Sequence, residues 1–166
     1  MTNTDLTVVR PMRWWDIAGV HDVEARAFPD TAWSVESFWS ELAGVPDTRH
    51  YLVAESGEQI IGYAGLMAIG RDADVQTLAV APDSRGAGLG ARLLDELLNE
   101  ARRRGCSRVT LDVASTGKDA QGLYRARGFD VIGRRSSYYG SGVDALIMRR
   151  RLTPTAPVVE SQGTLS

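Results

Sequence analysis

Apolar positions along the chain change period several times, and each change marks an element. Residues 6–9 read as a short strand that Pro11 stops. Ile17, Val20, Val23 and Ala27 recur at helical spacing and predict an amphipathic helix over 14–27, without a good N-cap and weakened slightly by Gly19. Phe28-Pro29-Asp30-Thr31-Ala32 breaks it. Ser34 is an N-cap for a second helix, with Glu36 in its first turn and Val35, Phe38 and Leu42 as the buried face. Residues 50–55 and 59–69 read as two strands around the hairpin loop Ser56-Gly57-Glu58. Arg71-Asp72 then turns the chain into an apolar strand over 75–80.

A long helix follows, carrying Leu89, Leu93, Leu94, Leu97, Leu98 and Ala101 on one face and closed by Gly105. Residues 108–113 alternate, with Val109, Leu111 and Val113 on one side and Thr110 and Asp112 on the other. Ser115 or Thr116 is the expected cap of a short helix over 118–127, ended by Gly128. Residues 130–139 and 145–152 complete the strands, with Ser141-Gly142 in their turn. Residues 153–166 hold two prolines and little to bury, so a single domain over 1–152 is expected, with a disordered tail after it. The order is β-α-α-β-β-β-α-β-α-β-β. Its middle β-α-β implies parallel strands joined by a right-handed crossover, and its flanks imply antiparallel hairpins. The predicted fold class is α/β of mixed type: a central mixed seven-stranded sheet with helices on both faces.

The strand over 75–80 runs through Ala81-Pro82-Asp83-Ser84 into Arg85-Gly86-Ala87-Gly88-Leu89-Gly90 and then into the long helix. Strand, glycine loop and helix start together build an anion site. The first N–H groups of a helix lack internal partners, the peptide dipoles make that end positive, and glycines let the backbone come close to a ligand. Three phosphate loops compete. A P-loop needs a Lys after its last glycine, and none follows Gly90. A dinucleotide fold needs G-x-G-x-x-G with an acidic residue about 20 positions on. Here the spacing is G-x-G-x-G, although Asp112 stands at a suitable distance for the acid. The third pattern, [RQ]-x-x-G-x-[GA], is met by Arg85, Gly88 and Gly90.

Composition changes the picture only by exclusion. At 166 residues the chain is of single-domain size, and 43% apolar with 24% charged residues is ordinary for a globular protein. A net charge of −2 gives no global electrostatic case for nucleic acid, and Arg102-Arg103-Arg104 and Arg149-Arg150-Arg151 read as solvated faces. Cys106 stands alone, so no internal disulfide forms, and His21 and His50 lack metal-ligand spacing, so no metal is expected. Nothing approaches a membrane span or a signal peptide, and a cytoplasmic protein is expected. Asp112 and, twelve residues on, Tyr124 fall near the carboxyl ends of the central strands, where open α/β sheets bind ligands. A carboxylate, directly or through water, can take a proton from an attacking group, a phenol can return one to a leaving group, and a backbone N–H near Val80 can meet an oxygen on which charge develops.

The loop pattern at Arg85, Gly88 and Gly90 resembles the pyrophosphate loop of the GNAT acyltransferases, and the element order matches that family along its length. Several stretches resemble its ribosomal-protein alanine N-acetyltransferase branch, of RimI type. These are Ala27-Phe28-Pro29 with Trp33-Ser34 and Phe38, then Leu78-Ala79-Val80-Ala81-Pro82-Asp83. Leu123-Tyr124 with Gly128-Phe129 follows, and last Arg134-Arg135, Tyr138-Tyr139 and residues 144–148. The likeness covers roughly residues 7–152.

The resemblance implies acetyl-CoA as cofactor. Its pyrophosphate would lie on the amides of about Gly86, Ala87, Gly88, Leu89, Gly90 and Ala91, beside Arg85, and its pantetheine arm along Leu78, Ala79 and Val80. Asp112 stands at the general-base position and Tyr124 at that of the general acid. The implied substrate is the N-terminal peptide of a small-subunit ribosomal protein, with Trp33, Tyr138 and Tyr139 as candidate groove walls. A monomer or weak homodimer, without nucleic acid or membrane, is expected. Three departures from the branch stand out: Asp112 replaces Glu, Gly117 replaces a cofactor-contacting Asn, and Asp30-Thr31-Ala32 are additional. An α-amine has a pKa of about 7.7–8.0 and a lysine about 10.4, so a shortened base favours α-amine substrates. The rival expectations are a lysine or small-molecule amine acetyltransferase and a non-catalytic acyl-CoA-binding module.

Overall fold

The computed structural model describes residues 6–138 and 142–153. The expected tail beyond 153, and Tyr139, therefore lie outside the described residues. Seven strands form one sheet in the order β1-β2-β3-β4-β5-β7-β6. The strands are β1 (Thr7–Pro11), β2 (Arg49–Ser56), β3 (Gln59–Ile69), β4 (Asp72–Val80), β5 (Arg108–Ala114), β6 (Asp130–Arg135) and β7 (Ala145–Arg151). The helices are α1 (Ile17–Ala27), α2 (Val35–Ala43), α3 (Leu89–Arg103) and α4 (Lys118–Ala126). All neighbours pair antiparallel except β4 and β5, which are parallel and joined through α3.

Strand alternation sorts the side chains onto two apolar layers. Tyr51, Val53, Tyr63 and Ala79 face α1 and α2, where Ile17, Val20, Val23 and Phe38 are buried. Leu52, Ala54, Ala64, Leu66, Val109 and Leu111 face α3, whose Leu93, Leu94, Leu97 and Leu98 are at most 1% exposed. The α3 stripe is the one its spacing predicts. The helix closes with Cys106 N–H donating to Ala101 O and Gly105 N–H to Arg102 O, and Cys106 packs in the core.

Several boundaries differ from expectation. Pro11 lies within β1 rather than after it, which an edge strand tolerates. Trp14–Asp16 is a 3₁₀ turn, and α1 starts at Ile17. Asp16 is the residue before α1 but gives that helix no side-chain cap; its carboxylate instead closes the 3₁₀ turn, accepting the Arg13 N–H at 2.8 Å while holding the Arg10 guanidinium at 2.7 and 2.8 Å. Asp72 is not a turn residue: it opens β4 and pairs with both Ile69 and Arg108. The strand β6 stops at Arg135, and Tyr138 lies in the following turn, where Ser137 has a φ of +51°. Trp14 and Trp15 are 60% and 61% exposed, so they stand outside the core.

One irregularity shapes the site. Leu66 pairs with Val75 and Gly65 with Thr77, which leaves Gln76 as an extra residue on β4. Such a bulge bends its strand and ends pairing. Accordingly β4 and β5 pair only from Asp72 to Asp74 against Arg108 to Thr110. Beyond those residues β4 stays with β3 as far as Val80, β5 stays with β7 as far as Ala114, and the two strands part.

Candidate active site

The gap between the parted strands is a cavity of about 300 Å³, walled by Val75–Leu78 on one side and Leu111–Ala114 on the other. Tyr124 closes it from α4, Gly117 stands at its edge, and Glu24, Phe28 and Trp33 close it from α1 and the segment after it. The backbone holds Tyr124 in place locally. Phe129 N–H donates to Tyr124 O and Gly128 N–H to Arg125 O, a helix ending that needs the left-handed φ of +85° at Gly128. Phe129 then packs its ring 5.8 Å from the Tyr124 ring, and Tyr124 is buried at 7% exposure.

The Gly-rich loop opens beside this cavity. Leu78, Ala79, Val80, Arg85, Gly86, Gly88, Leu89, Gly90, Ala91 and Gly117 line one continuous depression of about 710 Å³. Ala87 departs from that set: it lines the opposite side of the loop, with Thr7 and Arg92. Gly86 and Gly88 have φ of +89° and +79°, and Gly88 is the N-cap of α3. A Cβ at either position would meet no atom within 4 Å. These glycines are therefore fixed by backbone shape, with open space left above the loop, as a phosphate cradle requires. Arg85 Nε donates to Val80 O at 3.2 Å and ties the loop back to the end of β4.

Below the cavity the groove continues past Asp74, Asp112, Arg135 and Tyr138. Asp112 faces Arg135, with 3.9 Å between the nearest charged atoms, and Trp33 lines both the groove and the cavity. Arg135 lies over the Tyr138 ring, 5.5 Å from its centroid. Burial, with Asp72 and Asp112 nearby, pushes the Asp74 carboxyl up. Asp112, Tyr124, Trp33 and Tyr138 are thus gathered along one opening that also meets the glycine loop.

Two expectations at the site change. The cap of α4 is neither Ser115 nor Thr116 but Gly117, with no side-chain cap. Gln121 takes over the local polar work: its side-chain amide donates to Ala114 O and Ser115 O, both at 3.0 Å, from a buried position. A Cβ at Gly117 would lie 3.3 Å from Ala114 O, so a larger residue there needs the end of β5 to shift.

The second is a residue that pattern reading passed over. Glu24 is 2% exposed on the cavity wall. Its carboxylate accepts from the Tyr63 hydroxyl, from Trp33 N–H at 3.4 Å and from the Thr77 hydroxyl at 3.5 Å. Burial pushes its carboxyl up, against the opposing pull of those hydrogen bonds and of His21. The signal was present: Ile17, Val20, Glu24 and Ala27 form one helical stripe, and an acid inside an apolar stripe calls for a partner.

Residues 17–129 match the acetyltransferase (GNAT) family. A Mycobacterium tuberculosis protein named N-alpha-acetyltransferase RimI is 41% identical over 135 residues, covering 78% of this chain and 82% of its own. A Bacillus subtilis protein that provisionally carries the name ribosomal protein bS18-alanine N-acetyltransferase is 37% identical over 141 residues, 84% of this chain and 92% of its own. The fold also matches the crystal structure of the ribosomal-protein-S18-alanine N-acetyltransferase of Escherichia coli. That match has a TM-score of 0.82 at 24% identity and covers 92% of this chain and 98% of the other. Parted central strands, a glycine cradle at the start of α3 and this matched span agree: the chain belongs to the GNAT acetyltransferase family, whose cofactor is acetyl-CoA.

Proposed function

We propose that this protein acetylates the N-terminal α-amine of a small-subunit ribosomal protein, taken as an extended peptide that begins with alanine. The observation that carries the reading is a shared opening. The depression under the glycine loop and the groove past Asp112 meet at the cavity that holds Tyr124. The names of the relatives supply the substrate class.

In this reading the loop amides at residues 86–91 hold the pyrophosphate, and the free edge of β4 at Leu78–Val80 guides the pantetheine arm. The cofactor supplies an acyl thioester. Asp112 works at the solvent-facing rim as base, through water, and Tyr124 gives its phenolic proton to the departing sulfur. A main-chain N–H near Val80 meets the carbonyl oxygen as charge develops on it. Trp33 and Tyr138 wall the peptide groove. The site of action is the cytoplasm, where the substrate is made.

The test is thiol release from acetyl-CoA with an alanine-starting peptide of the ribosomal protein, against a panel of lysine peptides and small amines. Release with the peptide at or below the level of the panel would remove this substrate. Thermal stabilisation by acetyl-CoA without turnover on any amine would instead leave an acyl-CoA-binding module.

A further inference from the structure

Three polar or charged residues are buried among the described residues: Asp16, Glu24 and Gln121. Asp16 has Arg10, and Gln121 has two carbonyls. Glu24 forms no ion pair among the described residues; only hydroxyl and main-chain donors reach it. A carboxylate withdrawn from water without a cation is costly, and a site with a vacant share of positive charge beside it is a functional candidate. Here the neighbour is the cavity itself, which Glu24 walls together with Asp112 and Tyr124.

We propose that Glu24 is the receptor for the acceptor amine: the ammonium docks at this wall, and Glu24 accepts its hydrogen bond and then its first proton. The inference rests on the preceding functional reading and adds the residue that selects a cationic primary amine. In the reaction, the ammonium passes one proton to the Glu24 carboxylate. The neutral nitrogen then bonds to the thioester carbon. As the carbon–sulfur bond breaks, sulfur takes the Tyr124 proton, and the second nitrogen proton restores the phenol through water. Amide and free thiol remain, and the proton on Glu24 passes through water to Asp112, the base at the rim of the same cavity, and on to solvent.

The surroundings suit this role. Tyr63 faces Glu24 from β3, Thr77 from β4 and Trp33 from the segment before α2. His21 lies on the same helix, Tyr51 is within electrostatic reach from β2 with Glu41 bonded to its hydroxyl, and Asp112 and Tyr124 stand across the cavity. Burial raises the Glu24 carboxyl, which narrows its gap to an α-ammonium of about 7.7–8.0. A raised acid also has a stability signature. The folded protein holds this proton more tightly than the unfolded chain. The stability it contributes is therefore complete below the ordinary value of 4.5 and is lost as pH rises through the folded value.

The decisive variants are Glu24→Gln and Tyr63→Phe, measured in three ways. Calorimetry compares an alanine-starting peptide with the same peptide already acetylated. Steady-state kinetics gives kcat/KM against pH. Ligand-free melting is followed from pH 4 to 8. Glu24→Gln should weaken the charged peptide by about tenfold or more, erase preference over the acetylated peptide, and leave acetyl-CoA affinity unchanged. It should lower kcat/KM by about 10²-fold or more, and its melting temperature should gain on wild type as pH rises above 4.5. Tyr63→Phe removes a hydrogen bond that lowers the Glu24 carboxyl, so the acid limb of kcat/KM should move to higher pH. Glu24→Gln with wild-type peptide affinity and an unmoved pH profile overturns the inference while the function stands. If wild type acetylates only lysine or small amines, the functional reading fails, and the same variants on those amines still decide the role of Glu24. If no amine binds wild type, both fall.

Discussion

Replacing Gly88 by Ala separates the two demands made on the glycine loop. Gly88 has φ +79° and ψ +11°, caps the N-terminus of α3 and accepts the Arg92 N–H at 3.0 Å. An added Cβ meets nothing within 4 Å, so crowding contributes nothing and the whole cost is the left-handed backbone. That cost is about 1–2 kcal/mol for a residue with a Cβ. In a protein of this size each kcal/mol moves the melting temperature by about 2–4 °C, so Gly88→Ala should melt about 2–8 °C below wild type. Gly122 supplies the control. It lies inside α4, its added Cβ also meets nothing, and no left-handed φ is required there. Gly122→Ala should gain about 0.5–1 kcal/mol, the opposite sign for the same chemical change. Acetyl-CoA then reads the cradle. At 100 times its Kd a ligand stabilises by about 2.7 kcal/mol. A Gly88→Ala loop that relaxes out of its native shape turns its amides away, so this increment should shrink, whereas Gly122→Ala should keep it. Equal melting shifts in the two variants, or an undiminished acetyl-CoA increment in Gly88→Ala, would refute the reasoning.

Other outcomes follow from the same structure. Tyr124→Phe should lower kcat by about 10²–10⁴-fold with little change in the KM for acetyl-CoA; unchanged turnover would show that the phenol is not the acid. Gly65→Ala would drive its Cβ into the ring of Tyr51, which is 2% exposed and donates its hydroxyl hydrogen bond to Glu41 at 2.6 Å. Overpacking costs about 1–3 kcal/mol, visible as a lower denaturant midpoint at constant slope. Asp16 is pushed up by burial but held below its ordinary range by Arg10 and the Arg13 N–H. Its contribution to stability is present above about 3.9 and is lost as pH falls through the lower folded value. Denaturation of Asp16→Asn should therefore flatten in that acid window.

The large elements were legible because their signals are local and repeated. Six apolar positions on α3 share one stripe, and β5 alternates cleanly, so burial follows directly from spacing. The loop was legible because left-handed backbone demands glycine in a fixed place. What escaped depends on partners distant in sequence. Asp16 is buried because Arg10, itself held by Glu55, pairs with it, and Gln121 is buried because the carbonyls at the end of β5 accept its amide, while α4 starts without a side-chain cap. Trp14 and Trp15 cluster outside the core with Trp39, which stacks 6.1 Å from Trp14, a contact between segments that no local spacing shows. Glu24 was hidden within a stripe read for its apolar members. Its meaning emerges only when Tyr63 and Thr77, 39 and 53 residues away, close around it.

The bulge at Gln76 has a mechanical consequence. Only three paired positions join the four-strand half of the sheet to the three-strand half along β4 and β5. The molecule is a zip left open at one end, and an extended guest lying in the opening stands where the absent rungs would be. Whatever enters there splices the two halves as well as reacting between them, and its departure returns the joint to three rungs.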